Sequence, residues 1–249
     1  MSAWLFDLGN TRLKCAPLQA GAAGEVRALP HGDDALDADA IARALDAALP
    51  ARIEVAYVAS VAREPLRVAL LDALTRRCAR IELARTLPVF DGLRIAYAEP
   101  ARFGVDRFLA LLGARRAVEG ALLVCGVGTA VTLDLVDAAG RHVGGRIAPS
   151  PDLMREALTA RAPHLPAHGG AWRDWATDTD DALASGCLGA AAALVREAHA
   201  SARARCGVEV TLLLHGGGAL ALSPGLPDAR LRPALVLEGL AAWAGLPGP

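Results

Sequence analysis

The 249-residue sequence predicts an α/β protein made of two similarly folded domains with a cleft between them. Short apolar runs typical of buried strands alternate with segments of helical spacing. A strand–glycine–strand unit, FDLGNTRLK, occupies residues 6–14, and a similar unit, CGVGTAVTL, occupies residues 125–133, with Gly9 aligned to Gly128. Such a repeat favours two like-folded halves, although any two β-turns can share a glycine. We therefore predict an N-terminal domain at 1–117 and a C-terminal domain at 118–249.

The first half predicts a meander followed by α/β alternation. Residues 3–8 and 12–17 are two strands around a Gly-Asn turn, and GEVRAL (24–29) adds a third. Apolar residues on one side of 34–48 (Leu36, Ile41, Leu45 and Leu49) predict a helix. The later elements are a buried strand at 53–60, a helix at 63–77, short strands at 79–84 and 93–97, and a helix at 104–118.

The second half begins with strand, glycine turn and strand at 121–137 and a third strand at 142–149. A helix at 151–160 precedes a loop at 161–176 that is rich in Pro, Gly, His and Trp. A long Ala-rich helix follows at 178–204, then a strand that runs into a glycine turn within 208–218, and a final helix at 233–244. Residues 182–195 lack charge on every side, so we expect this part of the helix to be buried.

Composition excludes several classes of protein. The 26 basic and 27 acidic residues nearly cancel and the arginines are scattered, so no nucleic-acid partner is predicted. The longest uncharged runs, 120–133 and 182–195, are too short for a membrane helix of ~20 residues. The five cysteines are odd in number and form no C-x-x-C pair, which is typical of reduced thiols in a cytoplasmic protein.

The segment DLGNTRLK (7–14) has the residue types of a phosphate-binding turn. A glycine turn between strands exposes backbone N–H groups, and Asn10 and Thr11 add side-chain donors. Asp7 at the strand end suits Mg²⁺, which prefers carboxylate oxygen. Lys14 is the single lysine of the chain, and its compact ammonium suits a phosphoryl group. An ordinary hairpin with a surface lysine is the alternative.

Two further glycine turns occur in the second half. GVGTAVTLD (126–134) has Thr129 at its tip and matches neither a dinucleotide fingerprint nor a P-loop. HGGGA (215–219) resembles an esterase oxyanion-hole segment, but that chemistry needs a G-x-S-x-G motif, and the chain has none. We interpret it as a strand-to-helix turn that lets a base or ribose approach, with a plain turn as the alternative.

The segment YAEPARFGVDRFLA (97–110) places Asp106 and Arg107 at the start of a predicted helix. A carboxylate there can accept a proton from a substrate hydroxyl, and an arginine can bind an acidic substrate. The alternative is an Asp favoured by the helix dipole beside a solvated Arg.

In this order the segments resemble the type III pantothenate kinases, members of the acetate and sugar kinase, heat-shock chaperone and actin superfamily. The resemblance covers nearly the whole chain and rests on these motifs: D-x-G-N-T-x-x-K at 7–14, Tyr97, G-x-D-R at 104–107, G-T-A-x-T-x-D at 128–134, G-G-R-I-x-P at 144–149, TDDALASG at 179–186, the glycines at 216–218 and LVLEGL at 235–240. It implies two ribonuclease H-like (actin-like ATPase) domains. It also implies ATP-dependent phosphorylation of pantothenate to 4′-phosphopantothenate, the first step of coenzyme A biosynthesis.

The resemblance also implies roles for individual residues. The ATP phosphates would be held by Asp7, Leu8, Gly9, Asn10, Thr11, Arg12, Leu13, Lys14 and Thr129, with Asp7 also binding Mg²⁺. Asp106 would be the catalytic base. The pantothenate pocket would be lined by Tyr97, Gly104, Val105, Asp106 and Arg107. Family members are homodimers, and Thr179 matches the residue that completes the pocket at the interface.

The chain departs from the family pattern at Gly126, where relatives often have an aspartate that ligates a monovalent cation. We therefore expect little dependence on K⁺ or NH₄⁺, with Arg146 as one candidate for the missing positive charge. His215 stands where a small polar residue is expected. Two alternatives for function remain open: a kinase of the same superfamily for another small hydroxylated acid, and a nucleotide-binding regulator without turnover.

Overall fold

The computed structural model describes residues 2–30 and 38–245, and the chain divides into two compact units. Unit 1 comprises residues 1–117 and 234–249, and unit 2 comprises residues 118–233. The division after residue 117 coincides with the predicted boundary. The C-terminal segment, however, joins unit 1 and not the second domain in which the sequence analysis placed it.

Thirteen strands and seven helices are formed by the described residues. The strands are β1 (Ala3–Leu8), β2 (Arg12–Gln19), β3 (Ala22–Ala23), β4 (Arg27–Pro30), β5 (Ile53–Ser60), β6 (Cys78–Leu83), β7 (Val89–Phe90), β8 (Leu93–Arg94), β9 (Ala121–Val127), β10 (Ala130–Val136), β11 (His142–Pro149), β12 (Val210–His215) and β13 (Arg230–Leu231). The helices are α1 (Ala38–Ala48), α2 (Glu64–Thr75), α3 (Val105–Ala117), α4 (Pro151–Arg161), α5 (Thr179–Cys206), α6 (Ala219–Leu222) and α7 (Leu235–Gly245).

The two units contain sheets with the same strand order. In unit 1 the order is β3-β2-β1-β5-β6, with β4 also paired to β2, and in unit 2 it is β11-β10-β9-β12-β13. In each sheet the first two strands of the unit are antiparallel, and the first strand is parallel to its other neighbour, β5 in unit 1 and β12 in unit 2. The turns at Gly9 and Gly128 occupy equivalent places, which confirms the predicted repeat.

A few elements differ from the predictions. Of the strand expected at 24–29, only residues 27–29 are in a strand, β4, while β3 precedes the segment; both pair with β2. The strand expected at 93–97 is the short β8, which pairs with β7 alone. The helix expected at 34–48 begins in a segment, 31–37, that lies outside the described residues, as does Leu36. Of the helices that the structure describes, none is both long and apolar enough to cross a membrane.

The sheet of unit 1 buries both of its faces. Trp4, Phe6 and Leu8 pack in a core with α1 and α2, so the alternating residues Leu5 and Asp7 point to the opposite face. Helix α7 contacts β1, and α3 contacts β5. The site residues of β1 therefore share a sheet face with α3 and α7.

Close packing of α3 and α7 explains why the C-terminal segment belongs to unit 1. A Cβ added to Gly239 would lie 1.8 Å from the carbonyl oxygen of Leu109, and one added to Gly113 would lie 2.5 Å from that of Leu235. Glycine at both positions lets the two backbones approach more closely than side chains would allow. This contact joins segments far apart in the sequence, so local patterning did not predict it.

In unit 2, α5 packs on one face of the sheet through Ala191 and Val195, against Cys125 and Val127 of β9. The opposite side of α5 includes the exposed residues Ala182, Gly186 and Ala193. The prediction that 182–195 is buried thus holds for one face of the helix within a single chain. The other face is exposed, and it is uncharged because small residues such as alanine and glycine occupy it.

Candidate active site

The β1–β2 hairpin brings the first predicted group of site residues together. Asp7 and Lys14 lie directly opposite each other in the antiparallel register, and both side chains are half-buried. The N–H of Gly9 donates to the carbonyl of Arg12 at 3.0 Å, which closes the turn. Asn10 and Thr11 form the tip. The turn thus places one carboxylate, two cations and two polar side chains within eight residues.

Not every residue of 7–14 can contribute a side chain. Leu8 and Leu13 are fully or almost fully buried in the core beside α1 and α2. A ligand could meet these two residues only through their backbone. The side chain of Arg12 is exposed.

The carboxyl group of Asp7 has an unusual electrostatic environment. Desolvation by burial raises its pKa to about 7, Lys14 opposes this rise, and the carboxylate of Asp106 adds to it. Asp7, Lys14 and Asp106 therefore lie within electrostatic reach of one another. A cation beside Asp7 would relieve both the desolvation and the repulsion between the carboxylates.

The donor set fits Mg²⁺ that arrives with a nucleotide. In the part of the chain that the structure describes, no group of three or more His, Cys, Asp or Glu side chains could hold a metal ion. Mg²⁺ is commonly bound by one or two carboxylates together with substrate phosphates and waters. Asp7 supplies one such carboxylate.

Asp106 is held at the N-terminal end of α3. It lies in the first turn, and a Cβ added to Gly104 would lie 2.6 Å from Asp106 Oδ1. The carboxylate therefore folds back over the glycine and stays half-buried and accessible. A helix N-terminus favours the ionised form of such a group.

Arg107 is held by aromatic rings. Its side chain is only 8% exposed, its Cζ lies 4.5 Å from the ring centroid of Phe103, and its Nη1 donates to the Tyr97 hydroxyl at 3.5 Å. Tyr97 and Phe103 meet edge to face at 5.0 Å. The alternative of a solvated arginine is therefore wrong. Phe103 was missed in the sequence analysis, and its only signal was an aromatic residue directly before G-V-D-R.

Unit 2 carries the second glycine turn. Thr129 is exposed at its tip, and the N–H of Gly128 donates to the carbonyl of Ala130 at 2.9 Å. The glycines of 216–218 pack directly on this turn. Gly218 N–H donates to the Val127 carbonyl at 3.0 Å, and a Cβ on Gly216, whose φ is +98°, would lie 2.3 Å from that same oxygen. These glycines therefore serve turn-to-turn packing, which the sequence did not reveal.

Thr179 is the first residue of α5 and is exposed. The preceding Asp178 caps the helix by accepting a hydrogen bond from the Asp181 N–H. Within unit 1, then, the fold brings Asp7, Lys14 and Asp106 near one another and joins Tyr97 to Arg107. Thr129 and Thr179 belong to different elements of unit 2.

Sequence comparisons identify relatives over almost the entire chain. The family model described as type III pantothenate kinase matches residues 4–201. A protein of Xanthomonas axonopodis pv. citri named "Type III pantothenate kinase" is 55% identical over 98% of both chains. A protein of the same name from Xanthomonas euvesicatoria pv. vesicatoria is also 55% identical, again over 98% of both chains.

Solved structures of lower sequence similarity share the fold. A Sinorhizobium meliloti protein described as a 2-dehydro-3-deoxygalactonokinase gives a TM-score of 0.60 at 18% identity, over 97% of this chain and 98% of that one. The structure of MreB5 of Spiroplasma citri bound to AMPPNP gives a TM-score of 0.51 at 12% identity, over 97% of this chain and 95% of that one. At these identities the likeness concerns the fold alone, and it confirms the predicted actin-like ATPase class.

Proposed function

The chain belongs to the type III pantothenate kinase family, and from that membership we propose how its own residues perform the reaction. The enzyme phosphorylates pantothenate to 4′-phosphopantothenate, the first step of coenzyme A biosynthesis. A kinase family with the actin-like ATPase fold uses ATP as the phosphoryl donor. Identity of 55% over 98% of the chain favours this activity over a regulator without turnover or a kinase for a different acid.

Asp106 is the proposed general base of the reaction. The pantothenate hydroxyl loses its proton to the Asp106 carboxylate while its oxygen attacks the γ-phosphorus, and ADP leaves. The half-buried carboxylate at the start of α3 is the observation that carries this assignment. Such proton transfer contributes ~10²–10⁴-fold to a rate.

Arg107 binds the carboxylate of pantothenate, and Tyr97, Gly104 and Val105 line the same pocket. Stacking on Phe103 and the hydrogen bond to Tyr97 support this role, since they fix the guanidinium before any substrate arrives. A pre-ordered arginine loses little conformational entropy when it binds a carboxylate.

Residues 7–14 and Thr129 bind the ATP phosphates. Lys14, Asn10, Thr11 and Thr129 offer side-chain donors, and Leu8 and Leu13 offer only backbone groups. Asp7 would hold Mg²⁺, which when bound neutralises phosphate charge. Phosphoryl transfer depends mostly on positioning and charge stabilisation, and these residue types provide both.

We further propose a homodimer in which Thr179 completes the pocket of the partner subunit. An apolar groove of about 570 Å³ is formed by α4 and α5 and is lined by Leu153, Leu158 and Leu183, among others. Trp175, in the loop before α5, is 95% exposed. Apolar surface of this kind commonly marks a protein–protein interface. The five free cysteines support a cytoplasmic location.

Low dependence on monovalent cations remains part of the proposal, because Gly126 has no side chain to ligate K⁺ or NH₄⁺. Arg146 is not the replacement charge. It pairs with Glu197 of α5 and lies opposite Leu133, on the α5 side of the sheet. Activity should respond little to K⁺ titrated at constant ionic strength, and a steep saturable activation would contradict this.

The decisive experiment supplies the purified protein with MgATP and pantothenate and follows 4′-phosphopantothenate by mass spectrometry. Asp106→Asn serves as the matched variant, because it keeps the size of the side chain and removes its basicity. Product formed by the unaltered enzyme and nearly abolished in the variant is expected. ATP turnover that leaves pantothenate unmodified would contradict the proposed site.

A further inference from the structure

We propose that His215 is a further nucleotide-binding residue, whose imidazole Nε2 contacts a phosphate oxygen of ATP beside the turn that carries Thr129. The inference rests on the proposed binding of the ATP phosphates at that turn. It concerns a residue that the family motifs do not predict, since histidine here departs from the expected small polar side chain.

The strand register places His215 next to Gly126. In the pairing of β9 with β12, Gly126 is the partner of His215, and in the pairing of β9 with β10 it is the partner of Thr132. The three residues form one row across the sheet, at the end nearest the turn. Because the neighbours Cys125 and Val127 pack toward α5, this row lies on the other face of the sheet.

Two polar side chains converge above the glycine. A Cβ built on Gly126 would lie 2.8 Å from Thr132 Oγ1, 2.9 Å from His215 Nε2 and 3.2 Å from His215 Cε1. The imidazole edge that carries Nε2 therefore occupies the space that a side chain at position 126 would fill. Both His215 and Thr132 are half-buried, so neither residue is fully enclosed by the fold.

His215 also connects the two glycine turns of unit 2. It directly precedes the turn that contains Gly216 and Gly218, which pack on the Val127 carbonyl. Gly126 and Thr132 of this row are each three residues from Thr129 in the chain, so they lie within about 10 Å of it. The ring is thus held between the turn proposed for the phosphates and the turn proposed for the base or ribose.

The chemistry of the ring suits this position. An imidazole N–H donates a hydrogen bond, and a bond from such a donor to a charged phosphate oxygen is stronger than one to a neutral acceptor. A donor fixed by strand pairing on one side and a packed turn on the other loses little freedom when the nucleotide binds. A ring that merely fills the gap over Gly126 would leave nucleotide affinity unaffected.

The test measures binding of ATP, ADP and adenosine by calorimetry in Mg²⁺ buffer, together with the steady-state KM values. His215→Asn places its amide near the position of Nδ1, whereas His215→Gln can place its amide nitrogen near that of Nε2. We expect His215→Asn to weaken ATP and ADP binding about 10- to 100-fold, as for a lost hydrogen bond to a charged group. His215→Gln should retain most of the affinity, and the KM for pantothenate should not change.

Gly126→Ala tests the same contact in a second way, because the added methyl group must displace the imidazole or the Thr132 hydroxyl. It should show the same loss for ATP and ADP with adenosine affinity unchanged. His168→Gln, at an exposed histidine in the loop before α5, is the control and should match the unaltered enzyme. Thermal unfolding of every variant reports any general loss of stability.

Equal losses for adenosine and ATP, or unchanged ATP affinity in both His215→Asn and Gly126→Ala, would overturn the role of His215. The proposed function is judged separately, on the unaltered enzyme. If the unaltered enzyme binds ATP and phosphorylates pantothenate, and the variants bind ATP with the same affinity as that enzyme, only the inference about His215 fails. If the unaltered enzyme does neither, the proposed site itself fails.

Discussion

At the scale of single residues, Asp106 has the clearest chemical assignment. Asp106→Asn should lower kcat about 10²–10⁴-fold, because the amide cannot accept the hydroxyl proton. ATP affinity should change little, since the proposed contacts to phosphate come from other residues. Steady-state assays measure kcat, and a parallel ATP titration measures the affinity. Full kcat in a variant that still binds ATP would show that another group accepts the proton.

Asp7 gives the ligand-free enzyme a predictable pH dependence. Its pKa is about 7 in the folded protein and about 4 in an unfolded chain, so its ionised form destabilises the folded state. The cost is fully present above pH 7, decreases as pH falls from 7 to 4, and vanishes below 4. The full shift corresponds to at most about 4 kcal/mol.

Asp7→Asn should therefore stabilise the metal-free and nucleotide-free enzyme at pH 8, and much less at pH 5. Urea unfolding in EDTA at the two pH values measures the free energy difference. An equal effect at both values would mean that the carboxyl titrates normally. With MgATP present the advantage of asparagine at pH 8 should shrink, because the bound cation would stabilise the ionised carboxylate.

At the scale of secondary structure, the α3–α7 contact depends on glycine. Gly239→Ala would place a methyl group 1.8 Å from a backbone oxygen that cannot turn aside. Overpacking of this kind costs about 1–3 kcal/mol or more. Gly245→Ala on the same helix is the control, since a Cβ there would contact nothing within 4 Å.

Chemical denaturation should show a lower free energy of unfolding for Gly239→Ala and a neutral or slightly raised one for Gly245→Ala. The slight rise would reflect the higher helix propensity of alanine, roughly 1 kcal/mol at most. Equal stabilities of the two variants would mean that α7 can move away from α3 without cost.

Local sequence patterns predicted the helices and strands much better than they predicted which of these elements pack together. The strands at 53–60 and 142–149 have the predicted bounds. The first is a largely apolar run, and the second lies between Gly140 and the Ser150–Pro151 pair that begins α4. The attachment of α7 to unit 1 was missed, since it depends on contacts between residues more than a hundred positions apart. For the same reason, the contact of Thr132 and His215 with Gly126 could be found only from the pairing of the strands. The role of Phe103 could be found only from the direction of the Arg107 side chain.

At the scale of the whole molecule, the apolar groove between α4 and α5 predicts self-association. Leu158 lines this groove and is 47% exposed. If a second copy of the chain covers it, a charged side chain there would be buried in the interface and would weaken the association. Leu158→Asp should shift the enzyme to monomers and lower its activity, because Thr179 of the partner subunit would be lost from the pocket. Val68→Asp, at a 55% exposed position on α2, is the matched control.

Sedimentation velocity at assay concentration measures the oligomeric state of the unaltered enzyme and of both variants. We expect dimers for the unaltered enzyme and for Val68→Asp. A fully active monomer of the unaltered enzyme would exclude a shared pocket.

The packing of α7 in unit 1 also has a consequence for folding during translation. Unit 2 is one continuous stretch, 118–233, and can complete its contacts as soon as it has emerged. Unit 1, which holds Asp7, Lys14 and Asp106, is complete only after residues 235–245 have been translated, because α7 covers part of its sheet and packs on α3. A nascent or prematurely terminated chain that ends before residue 235 would leave this apolar surface uncovered. Unit 1 is thus begun before unit 2 and completed after it.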